Sequence, residues 1–211
     1  MRNTPVNIGK LGLQDTVSKY VKEDTSAGEK LKSAGIGSKP TLFITLPGPG
    51  APIKPEQMPA WKTHNLAGCT GFLELLVKQL EGMAEKNYQV VVLTSMTAGE
   101  FALAEQARLK RPENPFSTKG ITFIHDPELD IANALAIDTV TACERTVYPA
   151  AAGLLDAEGQ LTAVVDGLKL AQTSVSRTPV ETRKSAEGFL DETIAKIDLH
   201  PVATASVKAV M

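Results

Sequence analysis

The segment Tyr88–Ser95, YQVVVLTS, restricts the possible folds most, because its apolar residues follow one another without alternation. A strand with this pattern is buried on both faces, which is typical of a parallel sheet covered by helices. Thr41–Leu46, TLFITL, has the same character and ends at the loop PGPGAP. That loop lacks the Gly-Lys-Ser/Thr ending of a phosphate-binding loop, and its prolines remove amide donors.

Helical patterns lie between the predicted strands. The helix expected from about Gly71 to Lys86 has one apolar stripe, formed by Phe72, Leu75, Leu76, Leu80 and Met83. The next helix, Thr97–Lys110, begins with Thr97 and Glu100 at capping-box spacing. A third strand at Gly120–Asp126 leads into the helix PELDIANALAI, with Pro127 at its first position.

The remaining patterns complete the predicted order β-α-β-α-β-α-β-β-α. Ala151–Gly167 predicts a hairpin that turns at Asp156–Gly159, and a last amphipathic helix is expected at Val180–Ile197. Three β-α alternations followed by a hairpin predict a three-layer α/β/α fold with a mixed central sheet, an order that fits a thioredoxin-like domain.

We expect three parts along the chain: an N-terminal helical extension at 1–39, the thioredoxin-like domain at 40–170, and a C-terminal helix and tail at 171–211. The extension offers a short helix at Leu13–Val21 and a second helix start at Thr25 or Ser26, and the core is expected to begin after Pro40.

Composition excludes several classes of protein. A formal net charge of −2 and a pI near 6.0 give no reason to expect nucleic acid as a partner. No segment reaches the roughly 18 apolar residues of a membrane span, and MRNTPVNIGKLGLQ lacks the apolar core of a signal peptide. We therefore expect a cytoplasmic protein whose two cysteines are reduced.

Cys69 lies at a predicted strand-loop-helix junction, between Gly68 and Thr70. The unpaired amides and the dipole of a helix N-terminus favour a thiolate, which is the reactive form of cysteine. The alternative is a buried and inert core cysteine. A C-x-x-C dithiol is excluded because Phe72 stands three positions later. His64, His125 and His200 are scattered, so we expect neither a metal nor another cofactor.

The segment AGCTGFLELLVKQLEGMAEKNYQVVVLTS resembles the peroxiredoxins of the AhpC/TSA group, whose peroxidatic cysteine opens this helix. FIHDPELDIANALAI, GLLDAEGQLTAVV and LPGPGAP are also similar to segments of that family, and the nearest branch is the Q-type, or bacterioferritin-comigratory, branch. The resemblance covers about 41–167. It implies a thioredoxin-like fold and a thiol peroxidase with Cys69 as nucleophile and Thr70 beside it.

Several positions depart from the family pattern. The family threonine three residues before the cysteine is replaced by Leu66, and the family proline before the cysteine is absent. The place of the Q-type resolving cysteine is occupied by Glu74. The family arginine would fall at Ala150, and Arg145 is the closest substitute.

The segment ACERTVYPAAAGLL contains three further candidates. Arg145 either holds the thiolate and a peroxide oxygen or pairs with a neighbouring acid on the surface. Pro149 is either the cis-proline of thioredoxin-like domains or a trans proline that closes a loop. Cys143 either resolves an oxidised Cys69 as a disulfide or is simply buried, and we expect no such disulfide.

The sequence thus predicts a thiol-dependent peroxidase that reduces hydrogen peroxide or alkyl hydroperoxides. The resemblance implies an external thiol reductant of the thioredoxin, glutaredoxin or glutathione type, and a homodimer. The alternative is a peroxiredoxin-like domain that has lost turnover and serves as a binding or assembly module. Leu66 and the displaced arginine favour this alternative, whereas Gly-Cys-Thr at the helix start favours the enzyme.

Overall fold

The computed structural model describes residues 25–48, 54–64, 66, 68–110, 112, 115–135, 137–165, 191 and 195. The helix predicted at Leu13–Val21 lies outside these residues, and the one at Val180–Ile197 lies outside them except for Asp191 and Ala195. Within the described residues, no helix is both long and apolar enough to cross a membrane.

The described elements alternate between helices and strands along most of the chain. In chain order they are α1 (Ser26–Ser33), β1 (Thr41–Leu46), a 3-10 turn (Pro55–Gln57), α2 (Met58–Thr63), α3 (Cys69–Glu85), β2 (Gln89–Thr94), α4 (Ala98–Leu109), β3 (Ile121–His125), α5 (Asp130–Leu135), β4 (Val140–Ala142), β5 (Arg145–Val147), β6 (Ala151–Leu155) and β7 (Leu161–Val165).

The described strands β1, β2, β3, β6 and β7 form a mixed sheet in the order β3-β2-β1-β6-β7. The pairs β1–β2 and β2–β3 are parallel, while β6 runs antiparallel to both β1 and β7. This is the predicted thioredoxin-like arrangement of parallel strands closed by an antiparallel hairpin, and it confirms the predicted fold class. The two buried strands β1 and β2, the third strand β3, the helix after Cys69 and the final hairpin are confirmed, and β3 is only partly buried.

Alternate residues of β1 and β2 pack into two separate apolar clusters, one on each face of the sheet. Leu42, Ile44 and Val92 belong to the same apolar cluster as Phe72 and Leu76 of α3. The residues between them belong to the cluster that α1 and α5 complete. Because both faces of each strand are covered, unbroken apolar runs such as YQVVVLTS are what this sheet requires.

The core begins before Pro40, so the expectation that it starts after this residue is wrong. Thr25 caps α1 by accepting the Gly28 N–H at 3.1 Å, as the helix-start signal predicts. Leu31 of α1 and Ile36 are then buried in the cluster shared with α5. The division of the chain at 39 and 170 stays a prediction.

The helix after β3 begins later than predicted. Pro127 lies in a turn and α5 starts at Asp130, so the prediction of Pro127 at the first helical position is wrong. The cause is Asp126, whose side chain accepts the Ile131 N–H at 2.9 Å and so fixes where the helix starts. Leu129 spans the turn with φ +59°.

Asp126 is also the centre of a buried polar network. Its Oδ1 accepts a hydrogen bond from Lys30 Nζ at 2.5 Å, and its Oδ2 accepts one from the Tyr148 hydroxyl at 2.5 Å. The Tyr148 oxygen in turn accepts the Ala132 N–H at 3.0 Å. Burial and the neighbouring Asp126 carboxylate raise the pKa of Tyr148. The network joins α1, the end of β3, α5 and the segment before β6.

Replacing Tyr148→Phe tests this network. The change leaves the buried Ala132 N–H without its acceptor and removes one donor from Asp126, so we expect a loss of about 1–3 kcal/mol in the free energy of unfolding. Urea denaturation measures this loss. The matched control is Tyr88→Phe, because the Tyr88 hydroxyl makes no hydrogen bond within the described residues. Equal losses in the two variants would contradict the role of the hydroxyl.

Candidate active site

Cys69 is the first residue of α3, a helix of 17 residues. Gly68 precedes it with φ +103°, a left-handed conformation that glycine adopts without strain. The predicted position of Cys69 at a helix N-terminus on the sheet is therefore confirmed. Thr70 follows as the second helical residue and is half-buried.

The environment of the Cys69 sulfur differs from the one expected of a thiolate. Cys69 is only 4% exposed, and burial raises the pKa of its thiol from an ordinary value of 9.0 to about 12. Hydrogen bonds with the backbone of Gly48 and of Cys69 itself act in the opposite direction but do not compensate for the burial. The thiol donates to the Leu66 carbonyl at 3.6 Å. The expectation of a lowered pKa is wrong for this conformation.

Leu66 connects the Cys69 segment to a small apolar cluster. Its N–H donates to the Trp61 carbonyl at 2.8 Å, which folds the chain back onto the end of α2. Its side chain packs with Trp61, Ala142 and Val147, and we call these four residues the Trp61 cluster. Leu66 stands at the position where the peroxiredoxins that the sequence resembles have a threonine. In the structure Leu66 is buried, with 1% of its surface exposed.

Cys143 lies at the tip of the hairpin that β4 and β5 form, in a segment for which the sequence made no assignment. The hairpin turns through Cys143 and Glu144, whose φ angles are +51° and +65°, as a type I′ turn requires. The half-buried Cys143 packs against the Trp61 cluster, and its thiol donates weakly to the Gln57 carbonyl at 3.8 Å. Leu66 is thus a common neighbour of the two cysteine segments.

Arg145 is engaged with an acid. Its guanidinium donates to Glu100 Oε1 at 2.5 Å, in a pair whose side chains are 36% and 30% exposed. Glu100 is also the capping residue of α4 and accepts the Thr97 N–H at 3.0 Å. Partial burial acts to raise the pKa of Glu100, but the bonds from Thr97 and Arg145 lower it on balance. The structure therefore pairs Arg145 with an acid, as the second alternative predicted. A role for Arg145 at the thiolate stays a prediction.

The described residues contain no cis peptide bond, so Pro149 follows a trans bond. Its carbonyl accepts a hydrogen bond from the buried Thr45 hydroxyl at 2.6 Å, which ties the start of β6 to the end of β1. Within the described part of the chain, no group of three or more His, Cys, Asp or Glu side chains is arranged to hold a metal ion.

The sequence reasoning missed the partners of these residues. Glu100 was predicted only as a helix cap, and nothing in its spacing indicated Arg145 as a second partner. Trp61 was not singled out, although it is the single tryptophan of the chain and lies eight residues before Cys69. Within the described residues, its buried indole Nε1 has no hydrogen-bond partner.

No family model matches this sequence, and no curated protein matches it. Several solved structures that are similar to this chain are peroxiredoxins. Thioredoxin peroxidase I of Plasmodium yoelii is 19% identical, with a TM-score of 0.45 over 80% of this chain and 76% of that one. Reduced Prx3 of Vibrio vulnificus, in complex with hydrogen peroxide, is 13% identical, with a TM-score of 0.45 over 82% and 84%. AhpC of Mycobacterium tuberculosis is 11% identical, with a TM-score of 0.42 over 75% and 77%. The placement in the Q-type branch stays a prediction.

The burial of Cys69 predicts which thiol reacts first with an alkylating agent. In the folded protein near pH 8, we expect iodoacetamide to modify the half-buried Cys143 before Cys69, because Cys69 is buried and its pKa is about 12. Raising the pH toward 12 should accelerate the modification of Cys69, since more of its thiol is then ionised. Time-resolved peptide mass spectrometry measures both rates.

In a denaturant, the two thiols should react at similar rates, which serves as the control for this comparison. Faster native modification of Cys69 than of Cys143 near pH 8 would mean that the protein presents Cys69 as an accessible thiolate.

Proposed function

We propose that this chain is a thiol-dependent peroxidase in which Cys69 reduces hydrogen peroxide or alkyl hydroperoxides. The observation that carries the proposal is the position of Cys69 as the first residue of the long helix α3, next to the end of β1. Backbone amides at such a position stabilise an anionic sulfur and, during reaction, the oxygen that leaves. The resemblance of the Cys69 segment to the peroxiredoxins supports the same function.

The proposed reaction needs no bound cofactor. The Cys69 thiolate attacks the terminal peroxide oxygen, so that an S–O bond forms while the O–O bond breaks. The remaining oxygen takes a proton and leaves as an alcohol or water, and the sulfur, oxidised by two electrons, becomes a sulfenic acid. An external thiol then condenses with the sulfenic acid, releasing water, and a second thiol restores Cys69 by exchange. We propose Thr70 and Arg145 as groups that assist the attack.

In the proposed enzyme, the conformation with a buried Cys69 is the resting form. The Cys69 thiol is protonated and donates to Leu66, and Arg145 is paired with Glu100. Attack requires a rearrangement that gives peroxide access to the buried sulfur. The Arg145–Glu100 pair is partly exposed and worth about 0–1 kcal/mol, so Arg145 can leave Glu100 at little cost.

The second candidate function is a binding or assembly module without turnover. The observation that favours it is the buried thiol itself, because a pKa of about 12 leaves almost no thiolate at neutral pH. In this case Cys69 is a small core residue beside Phe72 and Leu46, to whose cluster it belongs. The two candidates differ in whether peroxide oxidises Cys69.

The remaining features of the proposal follow from the resemblance. We propose a reductant of the thioredoxin, glutaredoxin or glutathione type, a homodimer and a cytoplasmic location. Of these, the reductant matters most for an assay, because without it each Cys69 would react only once. Dithiothreitol can replace it as a small dithiol in the first measurements.

The substitution Cys69→Ser tests the peroxidase. A serine hydroxyl ionises too weakly to attack a peroxide, so we expect the loss of hydroperoxide consumption in the presence of dithiothreitol while circular dichroism stays unchanged. The matched control is Cys143→Ser, which should retain most of the wild-type rate. A wild-type protein that shows neither turnover nor a Cys69 sulfenate with hydrogen peroxide or an alkyl hydroperoxide would leave the binding module as the function.

A separate prediction concerns the route of reduction. Cys69 donates to Leu66 and Cys143 to Gln57, in a turn fixed by two residues of positive φ, so we expect one equivalent of peroxide to give no dominant Cys69–Cys143 disulfide. Mass spectrometry of the non-reduced protein detects either product. A cross-link in most molecules would show that Cys143 resolves the sulfenic acid, whereas sulfenic or mixed-disulfide Cys69 supports an external thiol.

A further inference from the structure

Helix α4 exposes its leucines and conceals a charged residue. Among the described residues, the two large apolar side chains that are exposed both lie on this helix, Leu103 at 69% and Leu109 at 52%. Arg108, directly before Leu109, is only 2% exposed. A surface helix ordinarily has the opposite arrangement, with apolar residues toward the core and charged residues in water. Two such leucines on one helix indicate a contact surface rather than scattered exposure.

The three charged residues of α4 all have partners within the domain. Glu100 pairs with Arg145 of β5. Glu105 pairs with Arg108 and also accepts the Thr118 N–H at 2.9 Å. The exposed positions from 102 to 109 are uncharged, and we call them the α4 face: Ala102, Leu103, Gln106, Ala107 and Leu109. A charged partner would bury its charge here without a counter-charge, so the α4 face fits an uncharged, apolar surface.

The α4 face is arranged symmetrically about Gln106. Leu103 lies three residues before Gln106 and Leu109 three residues after it, so the three side chains are neighbours on one side of the helix. A two-fold axis at Gln106 sets Leu103 of each copy level with Leu109 of the other. The amide of Gln106 both donates and accepts, so it can pair with the same amide of a second copy. Ala102 and Ala107 are small and allow the two helix axes to come close.

We propose that this chain forms a two-fold homodimer through antiparallel packing of its α4 face on the α4 face of a second copy. A two-fold contact requires one patch to be complementary to itself, and an uncharged face with a central glutamine meets this condition. The proposed homodimer thereby has a defined surface, which does not depend on turnover at Cys69.

The size of the α4 face determines the expected strength of the dimer. The 12 residues of α4 span about 18 Å, and one side of such a helix buries less than the roughly 800 Å² per partner of a standard stable interface. We therefore expect the dimer to dissociate in the micromolar range.

Sedimentation velocity of the full chain measures this association, with dithiothreitol present and with protein from about 1 to 500 µM. We expect a monomer–dimer equilibrium within this range. Leu103→Glu should weaken the dimer about a hundredfold or more, because the two-fold axis then buries two unpaired carboxylates. Leu103 is mostly exposed, so the variant should keep its circular dichroism. The matched control is Ala84→Glu, which adds the same charge at an exposed position of α3 and should dimerise like the wild type.

A cysteine at the proposed axis tests the geometry of the contact. Gln106→Cys is combined with Cys69→Ser and Cys143→Ser, so that each chain has a single thiol. Mild oxidation with oxidised glutathione should join two copies through this thiol, and denaturing electrophoresis without reductant measures the yield. Ala84→Cys in the same background is the control and should give little cross-linked dimer.

Three results would overturn the proposal: a monomer at every concentration, equal dimerisation of the wild type and Leu103→Glu, or equal cross-linking at positions 106 and 84. A monomer would mean that the α4 face stays open or is covered by the chain itself. Dimerisation that Leu103→Glu leaves intact would mean that the copies meet at a different surface. A protein without peroxidase activity that still dimerises through α4 would support the α4 dimer while removing the proposed function.

Discussion

The carboxylate of Asp126 is the interaction on which the arrangement of this fold most depends. It is fully buried, and it accepts hydrogen bonds from Lys30 of α1, from Ile131 of α5 and from Tyr148 before β6. A buried charge without partners costs several kcal/mol, so each of these elements is held where its donor reaches Asp126. Burial acts to lower the pKa of Lys30, but the bonds to Asp126 and Asp130 raise it on balance, and the lysine stays charged. The pair thus couples the N-terminal helix to the end of β3.

At Cys69, two opposing effects can be compared by magnitude. A rise in pKa from 9.0 to about 12 corresponds to roughly 4 kcal/mol in favour of the neutral thiol. A helix N-terminus favours an anion by only about 0.3–2 kcal/mol. Burial therefore determines the charge of the sulfur, although the thiol lies at the helix start. Leu66 meets the sulfur through its backbone carbonyl, while its side chain packs in the Trp61 cluster.

The sequence predicted those features that depend on short-range patterns. The unbroken apolar runs in β1 and β2, the stripe of α3 and the capping box of Thr97 with Glu100 are encoded within a few residues, and all are present. The start of α5 was misplaced because Asp126, held by distant partners, determines it rather than Pro127. The hairpin at Cys143 was missed because its type I′ turn contains neither glycine nor asparagine. The pKa of Cys69 likewise depends on burial by residues far along the chain, which spacing does not encode.

The hairpin of Cys143 is held in place mainly by apolar packing. Two non-glycine residues with positive φ cost about 1–3 kcal/mol each, and the Arg145–Glu100 pair returns at most about 1 kcal/mol. Burial of Val147 contributes about 1.5–3 kcal/mol, and Ala142 adds to it. Packing on the Trp61 cluster therefore supplies most of the energy that keeps this turn strained. Because Leu66 belongs to that cluster and its carbonyl accepts the Cys69 thiol, a movement of either cysteine segment disturbs the packing that positions the other.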